Sequence, residues 1–419
     1  MPSPLDAPTE RRAPTAADVS AAAARLDGHV YRTPCAYSES LSALTGARVW
    51  VKLENLQMTG SFKERGALNV LAQLDPAARA RGVIAASAGN HGLGLAFHAA
   101  RLGVRAWVVM PEWAPLAKVS AVRRHGAEVV LHGEHYDAAY TRAREIEAER
   151  GLVFVHPFDD ARVVAGQGTI GLELVEQCPE MAAVVAPVGG GGLLAGIALA
   201  VKHARPEVRV LGVEAEAMPA VARGLAARGP VTVEAETTIA DGIAVRRAGD
   251  LTLPVIRALA DDVVAVGEED IARAILALLE VEKTVVEGAG AVPLAALLAG
   301  RLDLAGRAVV LVLSGGNIDV NLVARIIERG LVRDGRVVRL GVLVRDRPGG
   351  LARLTGLVAE TRANVLHIRH DRAAARAPVG ESEVELTLET AGPDHIAEVI
   401  RRLTEAGYAV AAVPSSPAP

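Results

Sequence analysis

Short apolar runs alternate along the chain with longer segments whose apolar positions recur at helical spacing. Apolar runs of this length, bounded by glycine, proline or charged residues, are typical of strands buried in parallel sheets. The runs that predict strands are 47–53, 82–86, 105–110, 128–132, 153–155, 183–188, 208–213 and 308–313. Strand–helix alternation of this density predicts an α/β fold made of βαβ units on a parallel sheet.

Two helix starts are predicted from local signals. Thr15 followed by Asp18 forms a capping pair, so we expect a helix over 15–26. The glycine-rich stretch 166–169 (Gly-Gln-Gly-Thr) predicts a helix that begins there and continues through Leu174.

The pattern changes beyond residue 337, where apolar and polar residues alternate in the manner of half-exposed strands. Predicted strands cover 338–344, 364–370, 383–389 and 408–413, and predicted helices cover 351–360 and 394–406. This βαββαβ order predicts a ferredoxin-like unit of roughly 80 residues.

These patterns predict four regions along the 419 residues. We expect a loose, proline-rich tail over 1–14, a large domain over 15–330, a charged linker over 331–337 and the small domain over 338–415.

Composition excludes several classes of partner. The net charge is only −4 and no dense lysine or arginine block occurs, so nucleic acid and anionic membranes are poor partners. Cys35 and Cys178 are isolated, which is typical of a reducing compartment. No leader-like segment or long apolar run is present, and the sequence therefore predicts a soluble cytoplasmic protein.

Lys63 is the first candidate for chemistry. The chain has only five lysines against forty arginines, so each lysine calls for a reason. A lysine can lose its proton and act as an amine nucleophile, whereas an arginine cannot. Lys63 opens a predicted helix, and the positive potential at a helix N-terminus favours the neutral amine.

Four consecutive glycines, 189–192, lie between a predicted strand and a predicted helix. Such a turn exposes backbone N–H groups at a helix N-terminus, where a phosphate is the natural guest. The spacing Gly190-x-Gly192-x-x-Ala195, with Glu214 ending the next strand, also fits a dinucleotide fingerprint. Spacing alone leaves that alternative open.

Polar residues at other strand ends complete the set. Ser314 follows the last strongly apolar strand and offers a hydroxyl to a ring nitrogen or to a helix N-terminus. Asn90 and His91 lie at another strand-to-helix turn. His367 and His370 are excluded as a metal pair, because on a strand they point to opposite faces. An amine nucleophile, a phosphate loop and these polar groups together predict pyridoxal 5′-phosphate (PLP) as the ligand.

The chain also resembles a known family. Four ordered segments match the motifs of fold-type II PLP enzymes: Ser61-Phe62-Lys63, Ser87-Ala88-Gly89-Asn90-His91, Gly189–Gly192 and Ser314-Gly315-Gly316-Asn317. Within that group the region 17–330 is similar to threonine ammonia-lyases (threonine dehydratases), including 165–169, 240–242 and 287–290. The region beyond 337 resembles an ACT domain, a small amino-acid-sensing module.

The resemblance implies a fold and a set of site residues. The fold would be tryptophan synthase β-like, with two parallel-type open sheets and a small subdomain, about 55–155, inserted in the large one. Lys63 would be the catalytic residue and would bind PLP covalently. The implied cofactor-binding residues are Phe62, Lys63, Asn90, Gly189, Gly190, Gly191, Gly192, Glu287 and Ser314, and the implied substrate-binding residues are Ser87, Ala88, Gly89, Asn90 and His91.

The implied reaction is β-elimination of L-threonine to 2-oxobutanoate and ammonia. Lys63 would take the Cα proton, and the neutral Ser314 hydroxyl at the ring nitrogen would favour prompt loss of the β-hydroxyl. L-Serine would be a second substrate, because it lacks only a methyl group, worth about 1–3 kcal/mol.

Two alternatives stay open. A serine racemase would carry a second serine as acid and base where this chain has Ala88. A serine racemase would also carry a loop that binds a divalent metal. This chain has Glu214 in that loop, but Met218 and Ala220 occupy the positions where further metal ligands are expected. We therefore expect that no metal is required. The other alternative is a non-catalytic amino-acid-sensing regulator.

By analogy with relatives, we expect an amino-acid effector at the ACT domain, with the turn 348–350 as its candidate contact. The same analogy predicts a homodimer or homotetramer.

Overall fold

The apolar runs form the strands of two separate sheets in the computed structural model, which describes residues 12–372 and 377–413. The predicted tail 1–14 lies outside the described residues except for its last three positions, and so do residues 414 and 415. The described residues divide into two compact units, one ending at Ile318 and the other beginning at Asp319.

The first unit holds thirteen α-helices and ten strands among its described residues. The helices are α1 (Ala16–Leu26), α2 (Glu39–Thr45), α3 (Lys63–Leu71), α4 (Pro76–Arg81), α5 (Asn90–Arg101), α6 (Leu116–Arg124), α7 (Tyr136–Arg150), α8 (Ala161–Gln177), α9 (Gly192–Ala204), α10 (Ala220–Ala227), α11 (Thr252–Leu259), α12 (Glu268–Val281) and α13 (Gly288–Leu298). The strands are β1 (Cys35–Ser38), β2 (Arg48–Lys52), β3 (Val83–Ala86), β4 (Ala106–Met110), β5 (Glu128–Leu131), β6 (Val153–Phe154), β7 (Ala183–Pro187), β8 (Arg209–Ala215), β9 (Asp262–Val266) and β10 (Ala308–Val312). Short 3₁₀ turns cover Glu54–Leu56 and Asp241–Ile243.

The larger sheet has the strand order β1-β2-β10-β7-β8-β9. All its neighbours pair in parallel except β1, which runs antiparallel to β2 at one edge. The smaller sheet, in the order β5-β4-β3-β6, is parallel throughout. The predicted α/β fold with two parallel-type sheets is therefore confirmed, with the antiparallel edge strand as an addition.

The central strands are apolar on both faces because helices cover both faces. Every residue of β3, β4, β7 and β10 is buried. The core of the larger sheet gathers apolar side chains of α8, α9 and α11, and the smaller sheet has a core of its own with α3 and α5.

The predicted start of the helix at residue 166 is wrong. The helix α8 begins at Ala161, where the Asp160 carboxylate caps it by accepting a hydrogen bond from the Arg162 backbone N–H. The glycines lie inside the helix because other backbones pass close to them. A Cβ at Gly168 would lie 2.7 Å from the Gly196 carbonyl oxygen of α9, and one at Gly166 would lie 2.7 Å from that of Arg65.

The second unit begins with a helix, α14 (Val320–Arg333), most of which falls within the range 15–330 that was predicted as the large domain. Because α14 continues to Arg333, the first three residues of the predicted linker 331–337 are helical. The remaining elements are β11 (Val337–Arg345), α15 (Gly350–Glu360), β12 (Asn364–Asp371), β13 (Glu381–Glu389), α16 (Pro393–Glu405) and β14 (Ala409–Ala412).

These strands form one antiparallel sheet in the order β12-β13-β11-β14. The βαββαβ order and this strand arrangement confirm the predicted ferredoxin-like unit. Its core gathers alternate residues of β11 and β13 with Leu354, Val358, Val399 and Leu403 from α15 and α16. Among the helices of residues 12–372 and 377–413, none is long and apolar enough to cross a membrane.

Candidate active site

The predicted site residues other than Glu287 follow the carboxyl ends of four parallel strands. Lys63 is the first residue of α3, beyond β2; Ser87 follows β3, the glycine loop follows β7, and Ser314 lies just beyond β10. Ligands of open α/β sheets bind at this edge, where the strands point their carboxyl ends. The Phe62 N–H donates to the Ser314 carbonyl at 3.0 Å, and Ser61 forms a bridge with Gly315. These contacts bring Lys63 and Ser314 together.

The Lys63 amine is half-buried and has a specific acceptor. Its Nζ donates to the Pro157 carbonyl at 3.1 Å and lies 5.2 Å from the centroid of the Phe62 ring. Burial lowers the pKa of Lys63 to about 8, although the Glu287 carboxylate acts in the opposite direction. A nucleophilic amine near neutral pH is what a reaction with an aldehyde requires. The Pro157 carbonyl was missed in the sequence, because a backbone oxygen has no residue signature.

Asn90 is held by two partners. Its Nδ2 donates to Glu287 Oε1 at 2.7 Å, and its Oδ1 accepts from Asn317 Nδ2 at 2.8 Å. Burial and the charge of Asp241 raise the pKa of Glu287 to about 7. Asn317 also donates to the Thr59 carbonyl, so it connects the segment after β10 to the loop before Lys63. Asn317 was quoted only as part of a motif, and its hydrogen bond to Asn90 was not foreseen.

The turn between β3 and α5 is closed by Ser87. Its Oγ accepts hydrogen bonds from the Gly89 and Gly92 backbone N–H groups, at 3.2 and 3.0 Å. The hydroxyl oxygen is thus engaged within the turn, and its proton remains to be donated. Ala88 and Gly89 are half-buried at the tip of the turn. The first N–H groups of α5 have no acceptor within the helix, so the turn offers donors to a carboxylate.

The His91 side chain is directed elsewhere. Its ring is buried and its Nε2 bonds to the Val155 carbonyl at 2.9 Å. Burial, with the positive charge of Lys63, lowers the pKa of His91 to about 3, so the ring is neutral. The Val155 oxygen accepts, and Nε2 therefore carries the proton. The donor of His91 that remains for a ligand is its backbone N–H, in the first turn of α5.

The glycine loop is fixed by side chains beneath it. A Cβ at Gly190 would lie 2.3 Å from the Phe158 ring, and Thr252 Oγ1 donates to the Gly190 carbonyl at 2.6 Å. Gly191 has φ +97°, a conformation that favours glycine. The helix α9 starts at Gly192, so its first N–H groups are free of intrahelical acceptors. Phe158 and Thr252 were missed because they lie remote from the glycines in the sequence.

These groups fit PLP. A half-buried amine of lowered pKa suits its aldehyde, and the glycine loop at a helix N-terminus suits its phosphate. Ser314 is buried beside the Lys63 segment, and a Cβ at Gly315 would lie 2.4 Å from Glu287 Oε1. Within the described part of the chain, the buried Ser61 Oγ has no hydrogen-bond partner. This leaves a polar atom available two residues before Lys63.

The candidate metal residues have other partners. Both carboxylate oxygens of Glu214 accept backbone N–H groups, those of Val221 and Ala222, each at 2.8 Å. Glu214 thereby caps α10. His370 Nε2 pairs with Ser382 Oγ at 2.7 Å. No cluster of three or more histidine, cysteine, aspartate or glutamate side chains suited to a metal occurs within 12–372 and 377–413.

Comparison with known proteins identifies the family of the chain. Residues 26–315 match the family described as pyridoxal-phosphate dependent enzyme, and residues 338–405 match the ACT domain. The chain is 50% identical over 396 residues to an L-threonine ammonia-lyase of Thermotoga maritima, covering 94% of this chain and 98% of the relative. It is 52% identical over 387 residues to an L-threonine ammonia-lyase of Geobacter sulfurreducens, covering 92% and 96%.

Solved structures give the same result. A threonine deaminase of T.th. superposes with a TM-score of 0.69 at 44% identity, covering 73% of this chain and 99% of that one. Maize serine racemase superposes with a TM-score of 0.72 at 34% identity, covering 77% and 99%. The predicted cofactor is confirmed, and the dinucleotide alternative is set aside. The chain belongs to the pyridoxal-phosphate dependent enzyme family and carries an ACT domain after its catalytic region.

Proposed function

We propose that this protein is an L-threonine ammonia-lyase, which converts L-threonine to 2-oxobutanoate and ammonia and L-serine to pyruvate and ammonia. The observation that carries the proposal is the Lys63 amine, which donates a hydrogen bond to the Pro157 carbonyl and has a pKa lowered to about 8. The charge of Glu287, which accepts a hydrogen bond from Asn90, acts on this amine. Two relatives of the same name are about half identical to this chain over more than nine-tenths of its length.

The chain supplies a binding group for each part of the cofactor. Lys63 would bind its aldehyde carbon, the loop Gly189–Gly192 its phosphate, and Ser314 its ring nitrogen. Asn90, oriented by Glu287, would contact the ring hydroxyl, and Phe62 would lie beside the ring. Bound PLP supplies an electron-withdrawing ring that stabilises negative charge at the Cα of an attached amino acid.

The substrate carboxylate would lie in the turn Ser87–His91. The α5 N-terminus and the Ser87 hydroxyl donate hydrogen bonds there, with Ala88 and Gly89 leaving room beside them. This turn would hold the Cα hydrogen towards the Lys63 amine, which takes that proton as general base. The β-hydroxyl would then depart with a proton as water, which leaves an enamine with a double bond between Cα and Cβ. The enamine would tautomerise to an imine as Cβ gains a proton and the nitrogen loses one, and addition of water to the imine would release ammonia and the 2-oxo acid.

The experiment measures 2-oxobutanoate released from L-threonine by the purified protein with PLP, beside L-serine and D-serine. We expect L-threonine to be the preferred substrate. Lys63→Ala should abolish turnover, because it removes both the covalent anchor and the base. Lys202→Ala, which breaks a partly buried pair with Asp261 at the other end of α9 from the glycine loop, is the control and should retain activity. Substantial L-threonine deamination by Lys63→Ala would refute the assignment.

Serine racemase remains the second candidate because of the likeness to the maize enzyme. Racemisation needs a proton donor on the ring face opposite Lys63, and Ala88 has none to give. Interconversion of the serine enantiomers without keto acid would support the racemase. A cofactor absorption band that is unchanged by L-threonine would support the non-catalytic regulator.

We also propose regulation through the ACT domain, in a chain whose catalytic and regulatory domains span 15–330 and 338–415. A branched-chain amino acid would bind at the turn 348–350, where Gly349 has φ +85° and α15 begins. Kinetics that stay unchanged across all branched-chain amino acids would contradict this. We further propose that the protein is cytoplasmic and that it forms a homodimer or homotetramer. Light scattering would measure the oligomeric state.

A further inference from the structure

Lys118, one of the five lysines, forms an ion pair with a residue from a distant part of the catalytic region. Its Nζ lies 2.5 Å from Asp241 Oδ2. Lys118 belongs to α6, which follows strand β4 of the smaller sheet. Asp241 opens the 3₁₀ turn Asp241–Ile243, which lies in the chain between β8 and β9 of the larger sheet. The ion pair therefore joins the part of the molecule built on one sheet to the part built on the other.

The turn that Lys118 holds is packed against two parts of the candidate site. A Cβ at Gly242 would lie 3.2 Å from Glu287 Oε1 and 2.9 Å from the Ala289 Cβ. A Cβ at Gly189 would lie 3.0 Å from the Ile243 Cα. A shift of this turn thus changes both the support of the Asn90–Glu287 pair and the support of the glycine loop.

The two charges also act on Glu287 in opposite directions. The negative charge of Asp241 raises the pKa of Glu287, and the positive charge of Lys118 lowers it. Lys63 is a further charged group that interacts with Glu287. Asn90 Nδ2 and the Asn317 backbone N–H donate to Glu287 and favour its ionised form.

We propose that Lys118 and Asp241 are positioning residues, whose ion pair clamps the turn 241–243 against Glu287 and the glycine loop. This inference deepens the proposed function, since it rests on the same PLP site. The clamp retains the cofactor and orients Asn90. Neither residue takes part in the chemistry.

The test compares Lys118→Met and Asp241→Asn in the full chain. Each variant loses the ion pair, whose side chains are 27% and 56% exposed, so the Kd for PLP should rise about two- to fivefold in both. The measurement is titration of apoenzyme with PLP by absorbance, which requires no turnover. The exchanged pair Lys118→Asp with Asp241→Lys should recover most of the affinity.

The pH dependence separates the electrostatic role from a merely structural one. Asp241→Asn removes a charge that raises the pKa of Glu287, so the pH midpoint of Glu287 ionisation, followed by the carboxylate band in the infrared difference spectrum, should fall by about 0.5 pH unit. Lys118→Met removes a charge that lowers this pKa, so the midpoint should rise by a similar amount. In a Glu287→Gln background both shifts should disappear.

Lys202→Met is the matched control, because it removes another lysine–aspartate pair, 2.8 Å long, of the same unit. It should leave the Kd and the midpoint unchanged. Equal behaviour of Lys118→Met and Lys202→Met would overturn the proposal, and so would midpoints that move in the same direction in the two test variants. PLP binding that responds as expected in a chain without threonine turnover would refute the proposed function and leave the clamp standing.

Discussion

At the scale of single residues, burial lowers the pKa of Lys63 to a value that suits the role proposed for it. The desolvated ammonium loses its proton more readily, because removal from water costs the charged form more free energy than the neutral form. Glu287 partly offsets this effect, and the Pro157 carbonyl gives the amine a fixed direction. The site thus presents an amine that is substantially neutral around pH 8.

This lowered pKa predicts how the apoenzyme captures PLP. Only the neutral amine attacks an aldehyde, so the rate should rise with pH and level off above about 8, well below the 10.5 of an ordinary lysine. Stopped-flow absorbance between about pH 6 and about pH 10 measures it. Lys63→Arg should show no capture. A rate that keeps rising up to about pH 10 would show that burial does not act as described.

The contact between Gly190 and Phe158 predicts a steric effect on the cofactor. Gly190→Ala places a methyl group 2.3 Å from the Phe158 ring, so the loop must move. Overpacking of this kind costs about 1–3 kcal/mol, and PLP affinity should fall at least about fivefold. Absorbance titration measures the loss. Phe158→Leu in the same chain should restore part of it, and no recovery would mean that the loop is disturbed for another reason.

At the scale of elements, α9, which follows the glycine loop, crosses α8 at glycines. The crossing of α8 and α9 brings the Gly168 backbone N within 2.6 Å of where a Cβ on Gly196 would lie. Side chains at these positions would push the two helices apart. The same stretch 166–169 resembles a helix start in the sequence, because glycine is read as a breaker unless a close neighbour is known.

Gly168→Ala should therefore destabilise the protein by about 1–3 kcal/mol, through overpacking against α9. Gly356→Ala is the matched control, since it lies within α15 and a Cβ there would meet none of the described atoms within 4 Å. That change should be neutral or stabilising by up to about 1 kcal/mol, because alanine favours helices. Urea unfolding followed by circular dichroism measures both. A stable Gly168→Ala variant would contradict the close crossing.

Several elements escaped the sequence analysis for a physical reason. The helix α13 is buried at Gly288–Ala296 and apolar on all sides, so it lacks the periodicity that marks an amphipathic helix. The strand β1 is only four residues long, and β9 alternates little. These three elements form because of the neighbouring elements that pack against them, and their own sequence patterns do not predict them.

At the scale of the whole catalytic unit, a buried charge network joins distant segments. Arg65 of α3 donates to both oxygens of Glu54 at 2.8 Å and also bonds to Glu173 of α8. Lys52 of β2 bonds to Glu173 and to the Thr33 carbonyl. Two positive and two negative charges thus neutralise each other beneath the helix that begins with Lys63.

Removing one partner should leave a buried charge uncompensated. Glu173→Gln is expected to destabilise the protein by about 3–5 kcal/mol. Glu176→Gln on the same helix is the control, because its pair with Arg32 is more than half exposed on both sides and should cost at most about 1 kcal/mol. Chemical unfolding of both variants measures the two changes in the free energy of unfolding. Similar losses of stability in the two variants would show that the buried network contributes no more than a surface pair.

The sequence by itself determined the fold class, the cofactor and most of the candidate site residues. This was possible because their signals are local: an apolar run, a glycine turn or a lysine at a helix start expresses its chemistry within a few neighbouring residues. The eight predicted strands of the first unit all form, and so does the βαββαβ order of the second. The assigned roles of the individual site residues stay predictions for the experiments above.

Only the tertiary structure decided how those residues are supported. Lys63 finds its acceptor 94 positions away, and Asn90 finds Asn317 at a separation of 227. The same holds for Phe158 beneath Gly190, for Asp241 opposite Lys118 and for the glycines inside α8. Such contacts depend on how strands are ordered in the sheets, and no local pattern encodes that order, because it is fixed by the joint packing of the whole unit.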